Sequence, residues 1–484
     1  MNQLQTKLQM YIGGVWADSA SGDVITTINP ATKEALATFP RGNQDDVDRA
    51  VKAARATFES NEWREILPAE RGRMLLRLCQ LIREQKDELA HLETLDTGKP
   101  LAQALADVEV AARYCEYYAG AADKILGETI PIRSDILNYT IREPLGVTAH
   151  IVPWNYPIQI AVRSLAPAVA AGNTVVMKPA EDTPMTALRI ADLCEKAGFP
   201  AGVVNIVTGY GAEAGAALAA HPDIDHITFT GSVVTGMTIM KTAAQQIKPV
   251  TLELGGKSPN IVFADADLDE AAHWVVRSIT QNAGQTCSAG SRLLVEESIR
   301  EEFVAKVASL MSALRIGQGL ENAEIGPIIS EKQLARIESY MQVAQEDGAI
   351  IRTGGRRHTE AGDGFFFQPT VIDGVKPEGR LAQEEIFGPV LVVLPFTTKE
   401  EALAIANGTE YGLVTGVWTS DIHKAHWLAS RVKSGQVFIN NYGAGGGVEM
   451  TFGGYRKSGF GREKGLEALK YYTQVKNVAI KVNG

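Results

Sequence analysis

Cysteine is scarce in this chain. Its 484 residues include four, Cys79, Cys115, Cys194 and Cys287, widely scattered. No Cys-x-x-Cys pair or Cys/His cluster offers a metal site, and no spacing suggests a disulfide framework. A reducing, cytoplasmic setting is the simplest expectation. The opening MNQLQTKLQMYIGG has neither the apolar core of a signal peptide nor a basic transit helix. No run approaches the ~20 apolar residues of a membrane span. Basic residues are outnumbered, with 47 Lys and Arg against 57 Asp and Glu and a net charge of −10. That balance argues against nucleic acid as a main partner, because no excess cation is available to neutralise phosphates.

What is present reads as an ordinary globular protein, with 45% hydrophobic and 21% charged residues. The length exceeds what one simple core sustains, so about two or three domains are expected. Residues 11–28 suggest a hairpin around Ser19-Ala20-Ser21-Gly22. From Asn43 a helical pattern begins, with Val47, Val51, Ala54 and Phe58 on one face. Residues 68–96 and 100–122 form two further helical regions, in which Tyr114, Tyr117 and Tyr118 read as packing residues. Residues 125–143 are polar and alternating, as in an exposed ribbon.

From Gly146 onward, strand–turn–helix units repeat, which predicts an α/β fold with a parallel sheet covered on both faces. This is a dinucleotide-binding plan, although Gly-x-Gly-x-x-Gly is absent after its first strand. Gly231 and Ser232 instead follow the strand HITFT, and a glycine turn at a helix start can receive phosphate. After Cys287 the plan recurs. Phe303, Val304, Val307, Leu310 and Met311 form the inward face of one helix, and a hairpin spans the GGRRHTEAGDGFFFQPTVI segment. The terminal run TQVKNVAIKV alternates and needs a partner edge.

The stretch from Thr251 to Arg292 draws these parts together. Glu253 closes a strand-like run beside Gly255-Gly256. A helix then starts at Asp267, with Glu270 in capping-box position, and Leu268, Ala271, Ala272, Val275, Val276 and Ile279 share one face. Cys287 follows among small residues that leave its sulfur accessible. A nucleophilic thiol needs access and activation, and removal of an acyl group needs a base. Taken alone, Cys287 also suits a small buried hydrophobe and Glu253 a surface carboxylate.

Seven segments resemble the NAD(P)-dependent aldehyde dehydrogenase superfamily. They are PWNYP at 153–157, KPAE at 178–181, FTGS at 229–232, LELGGKSPNIVF, GQTCSAGSR, EEIFGPV at 384–390 and FGGYRKSGFGRE at 452–463. The resemblance implies a Rossmann-type cofactor domain over 1–124 and 145–253. It also implies an α/β catalytic domain over 254–455, and a small β oligomerisation arm over 125–144 and 456–484. It makes Cys287 the nucleophile, Glu253 the base and Asn155 the side-chain donor to the oxyanion. Lys178 and Glu181 match positions that hold the adenosine ribose, which favours NAD over NADP because a carboxylate repels a 2′-phosphate. Glu385 and Phe387 match the nicotinamide end. Val152, Pro153, Trp154, Gly231, Ser232 and Leu254 complete the cofactor contacts.

A homodimer or homotetramer is implied, acting on a small aldehyde of the amino or aliphatic kind, similar to betaine aldehyde. An aromatic aldehyde is the alternative. Ser164 stands where many members carry a lysine, which leaves Glu463 without its expected partner. An acyl-CoA-forming relative would lack Glu253. A catalytically silent protein on the same fold would lack Cys287 or Asn155.

Overall fold

A computed structural model of the chain describes residues 6–321, 323–443 and 447–482. Two large sheets organise it. The first has eight strands in the order Gly459–Phe460, Val250–Glu253, His226–Thr230, Val147–Ile151, Thr174–Lys178, Val204–Ile206, Met10–Ile12 and Val15–Ala17. Its five inner strands run parallel. Among the parallel strands the chain starts at Val147–Ile151, steps outward to Val204–Ile206, then returns to the other side at His226–Thr230. The carboxyl ends on either side of that reversal flank a topological switch point, where open α/β sheets bind ligands. Helices Pro68–Glu84, Leu101–Ala121 and Pro157–Ala170 cover one face, while Gln44–Glu59 and Val233–Ala244 cover the other.

The second sheet has seven strands, ordered Ile350–Thr353, Thr370–Asp373, Val390–Phe396, Arg292–Glu296, Pro259–Val262, Val414–Trp418 and Gln436–Ile439. All pairs are parallel except the Ile350–Thr353 edge. Helix Glu331–Glu346 packs on one side, and Leu268–Thr280 and Arg300–Ser312 on the other. The chain passes from Glu253, the last residue of a strand in the first sheet, to Pro259, the first of a strand in the second. The segment 254–258 is therefore the seam between the sheets. Parallel strands buried on both faces explain the near-continuous apolar runs there.

Several local expectations need correction. The N-terminal hairpin turns at Gly13-Gly14, both at positive φ, and pairs Met10–Ile12 with Val15–Ala17. A Gly-Gly pair suits a two-residue turn better than Ser19–Gly22 does, and Val24–Ile28 pairs with Ala35–Pro40 instead. The helical region 68–96 divides at Gln85 into Pro68–Glu84 and Lys86–Thr97. Asp267 caps its helix by accepting the Asp269 and Glu270 N–H groups. The capping box stays half made, because the Glu270 carboxylate takes the Trp274 indole N–H at 2.8 Å. Leu310 is exposed rather than inward.

The terminal strand Thr473–Lys481 finds its edge within its own chain, antiparallel to Ile136–Pro144 over its full length. These two strands form a separate sheet. Within the range assigned above to the arm, Gly459–Phe460 adds an edge strand to the first large sheet.

Candidate active site

Cys287 lies on a short connection between helix Leu268–Thr280 and strand Arg292–Glu296. The helix stops because Asn282 and Ala283 turn left-handed, at φ 49° and 52°, followed by Gly284 at φ 73°. Left-handed backbone is costly for alanine and must be held by its surroundings. A lattice of polar contacts holds it. The Asn282 N–H donates to Gln103 Oε1 at 3.1 Å, and its side-chain amide donates to the Asn155 carbonyl at 2.9 Å. Gln285 donates back to the Asn282 carbonyl and accepts the Ile329 N–H. A Cβ on Gly284 would stand 2.2 Å from the Gly388 carbonyl oxygen, so glycine is required by space as well as by φ.

Asn155 enters this lattice from the switch point of the first sheet, in the turn between strand Val147–Ile151 and helix Pro157–Ala170. Its Nδ2 donates one N–H to the Gln285 carbonyl at 2.9 Å, two residues before Cys287. An amide has two such protons, so one remains available. The next residue repeats the tie, with Tyr156 Oη and Thr286 Oγ1 sharing a hydrogen bond at 2.9 Å. The Asn155 carbonyl also accepts from Lys99 Nζ at 3.0 Å.

The thiol of Cys287 is half-buried. Burial raises its pKa to about 12; Glu253 and Glu385 push the same way, and Arg163 opposes. The resting sulfur is therefore a neutral thiol that needs a base.

Glu253 is buried, and neither carboxylate oxygen has a hydrogen-bond partner among the described residues. Burial first, then the Glu463 carboxylate, hold its pKa well above the usual range, against Arg163, Arg462 and Lys464. Gly453 lies against it, since a Cβ there would be 2.9 Å from Glu253 Oε1.

Glu463 has a cationic partner, though not at position 164. Arg163 pairs with it from the position before Ser164, and Thr228 Oγ1 donates to its other oxygen at 3.0 Å. Successive helical residues point about 100° apart. Ser164 accordingly turns back on its own helix and donates to the Ile160 and Ala161 carbonyls.

At the carboxyl end of its strand in the first sheet, Lys178 Nζ donates to Glu181 Oε2 at 3.0 Å and to the Pro179 carbonyl. Burial lowers the Lys178 pKa, and Glu181 opposes. Ser232 caps helix Val233–Ala244 by accepting the Thr235 N–H. Gly231 has no room for a Cβ, which would meet the Phe229 ring at 2.5 Å. Leu254 is buried against that helix beside Gly236, and its N–H donates to the Ser458 carbonyl. Glu385 Oε1 accepts the Gly256 N–H at 3.0 Å, and burial raises its pKa to about 7. Phe387, at φ 62°, meets the Trp154 ring edge-on at 5.3 Å. Val152, buried, donates to the Lys178 carbonyl, and Pro153 leads into Trp154. A narrow recess runs past Gly256, Thr286, Glu385 and Phe387.

The donor set fits a dinucleotide. It offers a polar Lys–Glu pair, a helix start with N–H groups no helical carbonyl reaches, an aromatic edge and a carboxyl beside the thiol.

Sequence reading missed three groups here. Lys99, Glu93 and Asp107 form a buried ionic cluster behind Asn155. Asn282 carries the left-handed turn. Arg163 balances Glu463. A buried lysine after Thr-Gly has no periodic signal, whereas Asn282-Ala283-Gly284 could have been flagged as a left-handed turn.

The model of the Aldehyde dehydrogenase family matches residues 16–478. The hydroxyisobutyraldehyde dehydrogenase of Mycolicibacterium austroafricanum is 46% identical, over 97% of this chain and 93% of that protein. The betaine aldehyde dehydrogenase of Bacillus subtilis is 44% identical, over 97% and 96%. Among solved structures, the NAD+ complex of an aldehyde dehydrogenase from Bacillus cereus superposes with a TM-score of 0.97. It has 45% identity, over 99% of this chain and 98% of that one.

Proposed function

The chain belongs to the aldehyde dehydrogenase family, and from that premise we propose that it oxidises a small aldehyde to the free carboxylic acid with NAD, through an acyl group held on Cys287. The observation that carries this reading is the tie between Asn155 and the Cys287 loop. It supports reading the remaining Asn155 side-chain N–H, with the backbone N–H of Cys287, as the donors to the oxygen of an attacked carbonyl, where charge would gather.

Cys287 loses its proton to Glu253 or to a water beside it and attacks the aldehyde carbon. Asn155 stabilises the resulting oxyanion of the thiohemiacetal. Bound NAD, held by Glu385 and Phe387 at its nicotinamide end, would supply a hydride acceptor for that carbon, and loss of the hydride would leave the acyl group as a thioester on Cys287. Glu253, ionised again once the first proton has passed to solvent, takes a proton from water as it attacks the thioester; the C–S bond breaks, the Cys287 thiolate is expelled, and the acid departs. A carboxyl held above its ordinary pKa is a stronger base once ionised, which suits this step.

The residues that would hold the cofactor are Lys178 and Glu181 at the adenosine ribose, and Gly231 and Ser232 at the phosphates. Glu385 and Phe387 would take the nicotinamide end, with Val152, Pro153, Trp154 and Leu254 as walls. In this reading 1–124 and 145–253 serve the cofactor, 254–455 the thiol chemistry, and 125–144 with 456–484 assembly.

Two substitutions separate the half-reactions. Cys287→Ala should give no NADH, even in a single turnover. Glu253→Gln should release about one equivalent of NADH per site and then stall, with steady-state turnover lowered by ~10²–10⁴. Mass spectrometry of the stalled enzyme should find the acyl group on the Cys287 peptide. Near-normal steady-state turnover in Glu253→Gln would remove Glu253 as the base.

A further inference from the structure

Phe452 packs with Leu413, Val414, Phe438 and Tyr442 in a buried apolar cluster, and Cys287 leans on that cluster. The Phe452 ring already carries two cations. The Arg163 guanidinium lies 5.5 Å from its centroid and Lys464 Nζ lies 5.2 Å from it. Arg163 is 5% exposed, and its guanidinium also donates to Thr230 Oγ1 at 3.3 Å. Both cations are near enough to act on the Cys287 thiol. Arg462, between Glu463 and Gly461, adds a third positive group that reaches Glu253.

Three carboxyls act on the thiol or on its neighbours, and each is committed elsewhere. Glu385 accepts the Gly256 N–H and in this reading lies at the nicotinamide end, on the far side of the thiol from Phe452. Glu463 is held by Arg163 and Thr228. Glu253, buried beside Glu463, favours its neutral form. A cationic ligand is bound by an open aromatic face or by an available carboxylate. The Phe452 ring offers neither.

We propose that the site selects against aldehydes bearing a positive charge near the carbonyl and takes neutral ones, with Arg163 and Lys464 as the specificity-determining residues. This rests on the aldehyde-oxidising reading above. It replaces the betaine aldehyde-like substrate expected from the sequence. The physical ground is electrostatic. The Lys464 ammonium, with the Arg163 guanidinium adding only what its pairing with Glu463 leaves uncancelled, opposes a third cation brought within several ångströms, and does so more strongly than in bulk water.

The test uses a pair of aldehydes of the same shape. Betaine aldehyde and 3,3-dimethylbutanal differ by a quaternary nitrogen in place of a quaternary carbon. NADH formation is followed with each, and rates are referred to the unhydrated fraction of each aldehyde. Each is also measured as an inhibitor of propanal oxidation, so that a compound that binds without turnover still reports its affinity. The neutral isostere should be favoured at least about tenfold in kcat/KM or in inhibition constant, and Lys464→Glu should narrow that ratio several-fold. Equal or better use of betaine aldehyde by the unsubstituted enzyme overturns the proposal, whether or not the variant folds. A ratio unmoved in a Lys464→Glu enzyme that still oxidises propanal removes Lys464 from it. Absence of NADH from all three aldehydes would instead sink the functional reading on which the proposal stands.

Discussion

Lys99→Met would test how the Asn155 turn is held. Lys99 is fully buried, and its ammonium spends its donors on Asp107 at 2.7 Å, Glu93 at 3.3 Å and the Asn155 carbonyl at 3.0 Å. Burial opposes the lysine's charge, but Asp107 and Glu93 outweigh it and raise its pKa. Removing one partner of a buried ion pair typically costs about 3–5 kcal/mol, because the remaining charge is stranded.

The stranded group here includes Asp107. Burial already lifts its pKa to about 6 even with Lys99 present to lower it. Without Lys99 it must rise further. A carboxyl whose folded pKa exceeds its unfolded value costs nothing when both states are protonated. The cost grows as pH rises from about 4 toward the folded pKa and is complete above it. The gap in thermal stability between parent and Lys99→Met should therefore widen from pH 5 to pH 8.

The triple change Glu93→Gln/Lys99→Met/Asp107→Asn removes the stranded charges and should recover much of the stability. It still leaves the Asn155 carbonyl without its lysine donor. As a positioning residue, Lys99 would then show in kcat, lowered roughly 10- to 100-fold with KM for NAD little changed. A pH-independent stability gap would refute the electrostatic argument. Parental kcat in the triple variant would refute the positioning role.

Three other outcomes follow from the same geometry. NAD should exceed NADP in kcat/KM, and Glu181→Gln should shrink the difference; equal or better use of NADP by the parent would contradict the role given to Glu181. With its pKa near 12, set chiefly by burial, the Cys287 thiol should be alkylated by iodoacetamide slowly at pH 7, about tenfold faster per pH unit up to pH 9, as peptide mass mapping would record; a plateau below pH 8 would mean a thiolate at rest. Light scattering at micromolar concentration should give a dimer or a tetramer built from dimers, and a monomer would refute that. Deleting residues 473–484 should cause dissociation or insolubility, because it strips the partner from the edge Ile136–Pro144.

Much of this protein was settled by its sequence. Period-two and period-3.6 patterns state which face of a segment is buried, so the strand–helix alternation and the parallel sheets were legible locally. Val47, Val51 and Ala54 lie inward as their spacing says, and Tyr114 and Tyr118 are core. Cys287 and Glu253 stood out through the segments GQTCSAGSR and LELGGKSPNIVF, which resemble those of the aldehyde dehydrogenase superfamily; that Gly284 must be glycine against Gly388 is seen only in the fold.

Other features only the tertiary structure decided. The terminal strand looked like an edge in need of a neighbour, and its neighbour lies more than 300 residues earlier in the same chain. Arg163 and Glu463 are separated by almost as much, as are Arg163 and Phe452. Lys99 reaches the Asn155 carbonyl across 56 residues. No local pattern records such pairs, because a charge buried by distant segments has the same neighbours in sequence as one left in water. Burial is a property of the assembled fold. It turns Arg163 from a helical cation into the partner of Glu463, and it holds the Glu253 carboxyl well above its ordinary pKa.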